Sequence, residues 1–394
     1  MVAGGAGLAV LIGVAAGGVS YAGTTEAASS SSSSTATIVY PGGSHGSFGG
    51  GFAISPYGSG SGYGSGSGYS GGSGSSSSTS TPTDAVPAST AQTTGVVTIV
   101  SDLTYQGARS AGTGVILTSD GMILTNNHVV EGATGIAVTV ESTGETYTAR
   151  VVGTDATNDI AVLQLEDASG LTPATLDTDG VAVGDSVTAV GNAEGTGDLV
   201  AAAGTVTALE QSVTTQSEAG VAGETLHGLI QVDADIVSGD SGGPLVDASG
   251  AVVGIDTAAS SGSADITGFA IPIATALDIV TQIEAGADTA TIEIGYPAFL
   301  GVSLSSGASP YASGAASAAG AVIGGVIEGT PAATVGLAAG DVVTAVDGAP
   351  VASADALSAA LADREPGESV TLSWIDTSGA AHSAPVTLTE GPVA

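Results

Sequence analysis

The chain has 394 residues, 38 acidic and three basic side chains, a formal charge of −35 and no cysteine. Its length leaves room for two domains and a linker. The charge excludes a basic nucleic-acid footprint and electrostatic docking on anionic lipid, and the missing cysteine excludes disulfides and thiolate chemistry. The three basic residues are Arg109, Arg150 and Arg364, so the chain has no lysine. Such acidity is a hypothesis of adaptation to high salt or to an acidic medium, where screening or protonation limits self-repulsion. Activity that is highest at low salt would exclude the salt form.

Residues 1–22 contain the uncharged, Ala/Gly-rich run Val2–Val19, about the length of a short membrane span. It is expected to be an N-terminal transmembrane helix. Ser20-Tyr21-Ala22 offers a small-residue cleavage site, but the basic n-region of a secretory signal is missing, which favours an uncleaved anchor with a cytoplasmic segment upstream of Met1. Residues 23–91 are dominated by Ser, Gly, Thr and Tyr, with the run Ser29–Ser34 and Gly-Ser repeats around Tyr63 and Tyr69. Such a segment buries too little apolar surface to offset its ordering entropy and is expected to be a disordered tether. His45 lies in it with nothing to fix its ring.

From Val96 the pattern becomes short apolar runs between Gly, Asp, Asn and Thr. Val96–Val100, Val115–Leu117, Gly121–Thr125, Ile136–Val140, Tyr147–Val152, Ile160–Leu165, Val187–Val190, Val252–Ile255 and Phe269–Ile271 are expected strands. Many short strands at regular spacing give barrels or a sandwich. Ile273–Glu284 has Ala276, Leu277, Val280 and Ile283 at helical spacing. Gly195–Asp198 and Gln211–Gly223 are expected to be polar loops.

The most informative segment is Gly239-Asp240-Ser241-Gly242-Gly243-Pro244-Leu245. Small residues around a serine allow a tight turn that sets two N–H groups beside one hydroxyl, the geometry of acyl transfer. A hydroxyl needs a base, and histidine suits neutral pH. Among four histidines, His128 follows the apolar run Gly121–Thr125, while His227 and His382 lie in polar strand-like surroundings without a local signature. A carboxylate that orients the imidazole is expected at Asp159, at the head of Ile160–Leu165. The order His128, Asp159, Ser241 is that of trypsin-like proteases, and it differs in subtilisins and α/β-hydrolases.

Further pieces are Gly112-Thr113-Gly114-Val115-Ile116, Leu124–Val130, Asn158–Leu163, Val190-Gly191-Asn192, Gln231–Ala234 and Gly268–Pro272. In this order they resemble HtrA/Deg-type serine proteases, a trypsin-like domain followed by a PDZ domain. The resemblance runs from about Val96 to the C-terminus and implies a mainly β chain, with a double six-stranded β-barrel at 92–286 and a PDZ domain at 290–391. It implies Ser241 as nucleophile, His128 as base and then acid, Asp159 as orienting carboxylate, and the N–H groups of Gly239 and Ser241 as oxyanion hole, in a loop that switches between states. This chain departs at Asp240, where the family usually has Asn, and at Asp235, where relatives commonly have a small residue. By analogy with trypsin-like enzymes Asp235 could floor the primary specificity pocket and select Lys or Arg. The alternatives are a solvent-facing loop carboxylate and the small-aliphatic preference of most HtrA-like enzymes.

Phe299-Leu300-Gly301-Val302 resembles the PDZ loop whose N–H groups cradle a peptide carboxylate, and Gly329–Ala333, Gly336–Val343 and Val346-Asp347-Gly348 continue the match. No basic residue lies near Phe299 in sequence, and Trp374 is expected in the core. Metal-ligand and phosphate-loop patterns are missing, so no cofactor and no metal are expected. The resemblance implies a membrane-tethered, extracytoplasmic endopeptidase for unfolded or C-terminally tagged proteins, with peptide C-termini bound at the PDZ domain and a homotrimer by analogy. The alternative is a non-proteolytic PDZ peptide-binding or holding protein with a vestigial protease barrel.

Overall fold

The computed structural model describes residues 85–215, 225–259, 267–305 and 319–394, and a two-residue strand, Thr37–Ile38. The expected anchor, His45, residues 23–36 and 39–84 of the tether and residues 216–223 of the expected polar loop lie outside the described residues.

The first body contains β1 (Val96–Leu103), β2 (Ala108–Ile116), β3 (Met122–Thr125), β4 (Gly135–Val140), β5 (Glu145–Asp155) and β6 (Ile160–Leu165). They pair in the order β5–β4–β1–β2–β3–β6, and β5 also pairs with β6, so the sheet closes into a six-stranded barrel. Alternation does this work in β4, where Ile136, Val138 and Val140 are buried. The apolar run of β6 has another cause. Ala161, Leu163 and Leu165 fill this barrel, while Ile160 and Val162 face the core shared with the second.

The second barrel is built from β7 (Ser186–Gly191), β8 (Val200–Thr215), β9 (Thr225–Val232), β10 (Pro244–Asp247), β11 (Val252–Ala259) and β12 (Gly268–Pro272). Its order is β8–β9–β12–β11–β10–β7, closed by β7 on β8. A short helix α1 (Asn127–Val130) follows β3, and α2 (Ile273–Glu284) buries Ile273, Ala276, Ile279, Val280 and Ile283 against the shared core.

Two expectations change. Gln211–Thr215 is strand, because β8 continues to pair with β9 through Val213 and Thr214, whose β-branched side chains suit a pleated ladder. Within the expected tether, Val86–Pro87 pairs with Val200–Ala201 and the Ala88 N–H donates to the Leu199 carbonyl.

The third body is a sheet of five strands in one path, with the two-residue strand Ala349–Pro350 paired to the Val342–Val346 strand, and two helices. Its strands are β13 (Val302–Leu304), β14 (Ala321–Val326), β15 (Val342–Val346), β16 (Ser369–Ile375) and β17 (Ala381–Thr387), paired in that order with β13 at the edge. Helices α3 (Pro331–Thr334) and α4 (Ala354–Ala362) complete it. Asp347 and Gly348 both have positive φ, 50° and 78°, as a two-residue turn between paired segments requires. Trp374 is buried in this core and stacks on His382.

The C-terminal tail returns to the first barrel. Thr389–Glu390 pairs with Ala298–Phe299. Val393 then donates to the Ala133 carbonyl and accepts from the Gly132 N–H, and its side chain is buried in the first barrel. Phe299 stacks on Tyr105 of the first barrel with ring centroids 5.5 Å apart. An exposed ion pair, Arg150 with Glu390, spans the same junction. Such pairs contribute about 0–1 kcal/mol, against roughly 1.5–3 kcal/mol for burying a side chain of Val393's kind, so the tail is held chiefly by Val393.

Candidate active site

Asp155 starts the site. Its carboxylate accepts from the Asn158 backbone N–H at 3.1 Å and side-chain amide at 2.7 Å, capping a single turn of 3-10 helix. That turn delivers Asp159 in the left-handed region at φ 55°, a conformation Asp tolerates better than most residues. Asp159 is 1% exposed. Its Oδ1 accepts from the His128 backbone N–H at 3.0 Å, both oxygens lie 2.9 Å from His128 Nδ1, and Oδ2 accepts from the Thr257 hydroxyl. An ionised carboxylate only accepts, so the proton lies on Nδ1 and Nε2 is the acceptor nitrogen. Asn126, immediately before α1, donates its amide to the Asp159 carbonyl at 2.9 Å and holds the two segments together.

Ser241 is buried on the facing barrel, in the turn before β10. Its hydroxyl donates to the Thr257 carbonyl at 3.3 Å, so one residue of β11 touches both the carboxylate and the nucleophile. Thr113 of β2 is a second organiser. Its N–H donates to the Ser241 carbonyl at 2.9 Å, its hydroxyl donates to the Gly239 carbonyl at 2.8 Å, and that hydroxyl accepts from the Asn192 N–H at 2.9 Å. Gly112 lets the two sides close, because a Cβ there would lie 2.6 Å from Val129 Cγ1 and 3.2 Å from the Ser241 carbonyl. Val129 is the neighbour of His128, so this close approach brings the histidine helix to the serine turn.

Gly239 has φ +92°, and a Cβ there would sit 2.0 Å from the Asn192 carbonyl. The Ser238 carbonyl accepts from the Glu194 N–H. Across a trans peptide the next N–H points the opposite way, so this bond fixes the direction of the Gly239 N–H. Among the described residues neither the Gly239 nor the Ser241 N–H donates a hydrogen bond. The expected loop Gly195–Asp198 thus begins beside a turn bonded to the serine segment.

Asp240 is 2% exposed, its Oδ2 accepts from the Val237 N–H at 2.9 Å, and burial pushes its carboxyl up to about 7. Asp256, fully buried next to Thr257, is pushed well above the usual carboxylate range by burial and then by the charge of Asp240. Asp235 is half-buried in the segment between β9 and Ser241 and makes no ion pair with a described residue. In the third body Phe299 and Leu300 are buried and Val302 is half-buried at the start of the edge strand. Gly301, at φ +83°, bonds through its carbonyl to the Ile327 N–H. The sequence shows no basic residue near Phe299, but the fold brings Arg150 to Glu390, the register partner of Ala298.

Sequence reasoning missed the roles of Thr113, Thr257 and Asp256. Thr113 lay inside a quoted motif with its bonds unassigned. Thr257 and Asp256 carry no local signature, since only the pairing of β10 with β11 sets them under Ser241.

The chain is similar to known proteins over both folded regions. The trypsin-like peptidase domain model matches residues 112–255 and the PDZ domain model matches residues 298–375. Serine protease PepD of Mycobacterium tuberculosis is 35% identical over 312 residues, covering 74% of this chain and 63% of that protein. Periplasmic serine endoprotease DegP of Escherichia coli is 36% identical over 265 residues, 66% of this chain and 53% of that protein. The chain therefore spans between about half and two-thirds of the length of these curated relatives. Among solved structures, the HtrA-type protease AlgW with tripeptide is 31% identical, with 77% of this chain and 98% of that one covered and a TM-score of 0.43. With a trypsin-like peptidase domain, a C-terminal PDZ domain and these relatives, the chain belongs to the HtrA-type serine proteases.

Proposed function

We propose that this protein is a serine endopeptidase that cleaves unfolded or C-terminally tagged proteins outside the cytoplasm through an acyl-enzyme at Ser241. The observation that carries this reading is the chain of bonds from the Ser241 hydroxyl to Thr257, from Thr257 to Asp159, and from Asp159 to His128 Nδ1. In the reaction the Ser241 hydroxyl turns from the Thr257 carbonyl to His128 Nε2 and gives up its proton as Oγ attacks the scissile carbonyl. Asp159 stabilises the imidazolium that forms. The N–H groups of Gly239 and Ser241 donate to the oxyanion. His128 then protonates the leaving amine, and water repeats the sequence on the acyl-enzyme.

The PDZ domain takes peptide C-termini by strand addition at β13, with carboxylate contacts from the main chain of Phe299–Val302. Two features support this reading, namely the edge position of β13 and the half-buried Val302 and Leu304 on it. A membrane tether formed by residues 1–22, a flexible linker after it and a trimeric assembly belong to the same proposal. Membrane fractionation of the full chain and light scattering of the portion from Ala85 onward test them. Asp235 is proposed as the floor of the specificity pocket. A peptide-library cleavage profile unchanged by Asp235→Ala would remove it.

The decisive test is labelling by a fluorophosphonate, from low to multimolar NaCl, with and without a C-terminal peptide. Wild type labels and Ser241→Ala does not. If wild type stays unlabelled under every condition, the protein is the holding module instead.

A further inference from the structure

Two carboxyl groups lie beneath the serine turn without a cation. Asp240 precedes Ser241, and Asp256 precedes Thr257, the residue bonded to both Ser241 and Asp159. Three backbone bonds lace the two sites together. Gly243 N–H donates to the Asp240 carbonyl, Gly242 N–H to the Asp256 carbonyl, and Asp256 N–H to the Gly243 carbonyl, each at 2.8 Å. Asp240 is 2% and Asp256 0% exposed. Asp240 Oδ1 and both carboxyl oxygens of Asp256 have no hydrogen-bond partner among the described residues.

Among the described residues the surroundings supply no positive charge. Gly191 and Asn192 approach from the end of β7, and Ala270 of β12 is the register partner of Asp256. Glu194, whose N–H binds the Ser238 carbonyl, is an acid of the adjoining turn, and the Asp159–His128 couple lies across Thr257. The three arginines of the chain are engaged elsewhere, Arg109 with Asp102, Arg150 with Glu390, and Arg364 with Asp347 and Glu368. A buried carboxylate with neither a cation nor enough donors is costly, and the economical solution is to keep a proton.

We infer that Asp240 and Asp256 are positioning residues, a proton-holding carboxyl pair that fixes the Val237–Ser241 turn and with it the direction of the oxyanion donors. The lever is short. Asp240 grips the Val237 N–H, and the peptide two bonds further on carries the Gly239 N–H. When Asp240 loses its proton, the charge is relieved only by letting water into the turn. That movement releases the Gly239 peptide and lowers turnover rather than substrate binding. The shift of Asp240 to about 7 puts this loss within reach of ordinary assay conditions.

The inference rests on the endopeptidase reading, so its test must separate the two failures. The measurement is kcat and KM from about pH 5 to about pH 9 for wild type, Asp240→Asn, Asp256→Asn and the double amide. An amide mimics the protonated acid in shape and cannot ionise. The double amide should gain at least about 10-fold in kcat relative to wild type between about pH 6 and about pH 9, with KM following neither limb. Asp240→Ala should stay below Asp240→Asn across the range, because the amide alone keeps an acceptor for the Val237 N–H. An alkaline limb equally steep in wild type and double amide overturns the inference while leaving the protease intact. Wild type inactive at every pH overturns the endopeptidase reading instead. Should the amides not fold, infrared spectroscopy of wild type decides, since a carboxylic-acid C=O band present at about pH 6 that loses intensity above about pH 7, as Asp240 ionises, is required, and its absence overturns the inference.

Discussion

The two walls of the cleft treat buried carboxyl groups in opposite ways. On the first barrel Asp159 is surrounded by donors, namely the His128 N–H, the His128 ring and the Thr257 hydroxyl. On the second barrel, among the described residues, the Asp240 carboxylate has one donor and that of Asp256 has none. Depth is the same on both sides, at 1%, 2% and 0% exposure. What differs is the number of donors, and that number decides whether a buried acid is a fixed charge or a store for a proton. The first wall is built to hold one arrangement. The second is held only under conditions that keep it neutral.

The largest effect should come from disturbing the fixed wall. Asp159→Asn keeps the shape but presents an amide to Nδ1 and disturbs the tautomer, so kcat should fall by about 10⁴-fold. Steady-state kinetics on an unstructured peptide measures this. A loss below about 10-fold would mean that Asp159 does not orient His128. On the other wall, Gly239→Ala places a Cβ against the Asn192 carbonyl and in an unfavourable φ. The turn must shift and the Gly239 N–H with it, for an expected loss of about 10²–10³-fold in kcat with KM little changed.

The contrast also predicts how stability follows pH. The Asp240 carboxyl sits at about 7 in the fold against an ordinary 3.8. Between those values the folded chain keeps a proton that the unfolded chain has lost, so stability declines as pH rises through the interval. The contribution is complete below 3.8 and gone above about 7. One pKa unit corresponds to about 1.4 kcal/mol, so the total is of order a few kcal/mol. Urea unfolding midpoints at matched salt, compared between wild type and Asp240→Asn, read it. Equal slopes in the two proteins would erase the contrast between the walls.

How much of this was visible in the sequence follows from where each interaction lives. Ile160–Leu165 and Ile273–Glu284 appear as expected, because strand burial and helical spacing are local patterns. His128 and Asp159, which the structure brings together, each sit in a short motif, as does Ser241, and their chain order is that of one protease class. Thr257 was not readable, since its importance depends on β11 lying beneath the serine turn. Gln211–Thr215 was misread as loop because polar Thr and Ser in a ladder look like loop residues until the partner strand is known. The return of the tail to the first barrel was hidden for the same reason. Val393 is a lone valine near the end, and nothing within its neighbourhood points to Ala133.

That tail gives the smallest and most specific prediction. Val393 exchanges two backbone bonds with Gly132 and Ala133, two residues or fewer beyond Glu131, the C-cap of the helix that carries His128. If the first wall owes its rigidity partly to this clamp, Val393→Ala should cost roughly 1–2 kcal/mol of stability through lost burial, with the backbone bonds kept. The loss should appear as faster amide exchange at Gly132 and Ala133 and not at Val237–Ser241. Exchange that quickens equally on both walls would mean that the tail stabilises the protease domain as a whole. Unchanged exchange at Gly132 would mean that the clamp does not hold in solution. Only the selective outcome makes the PDZ tail a brace for the histidine side of the cleft, leaving the serine side to its carboxyl pair.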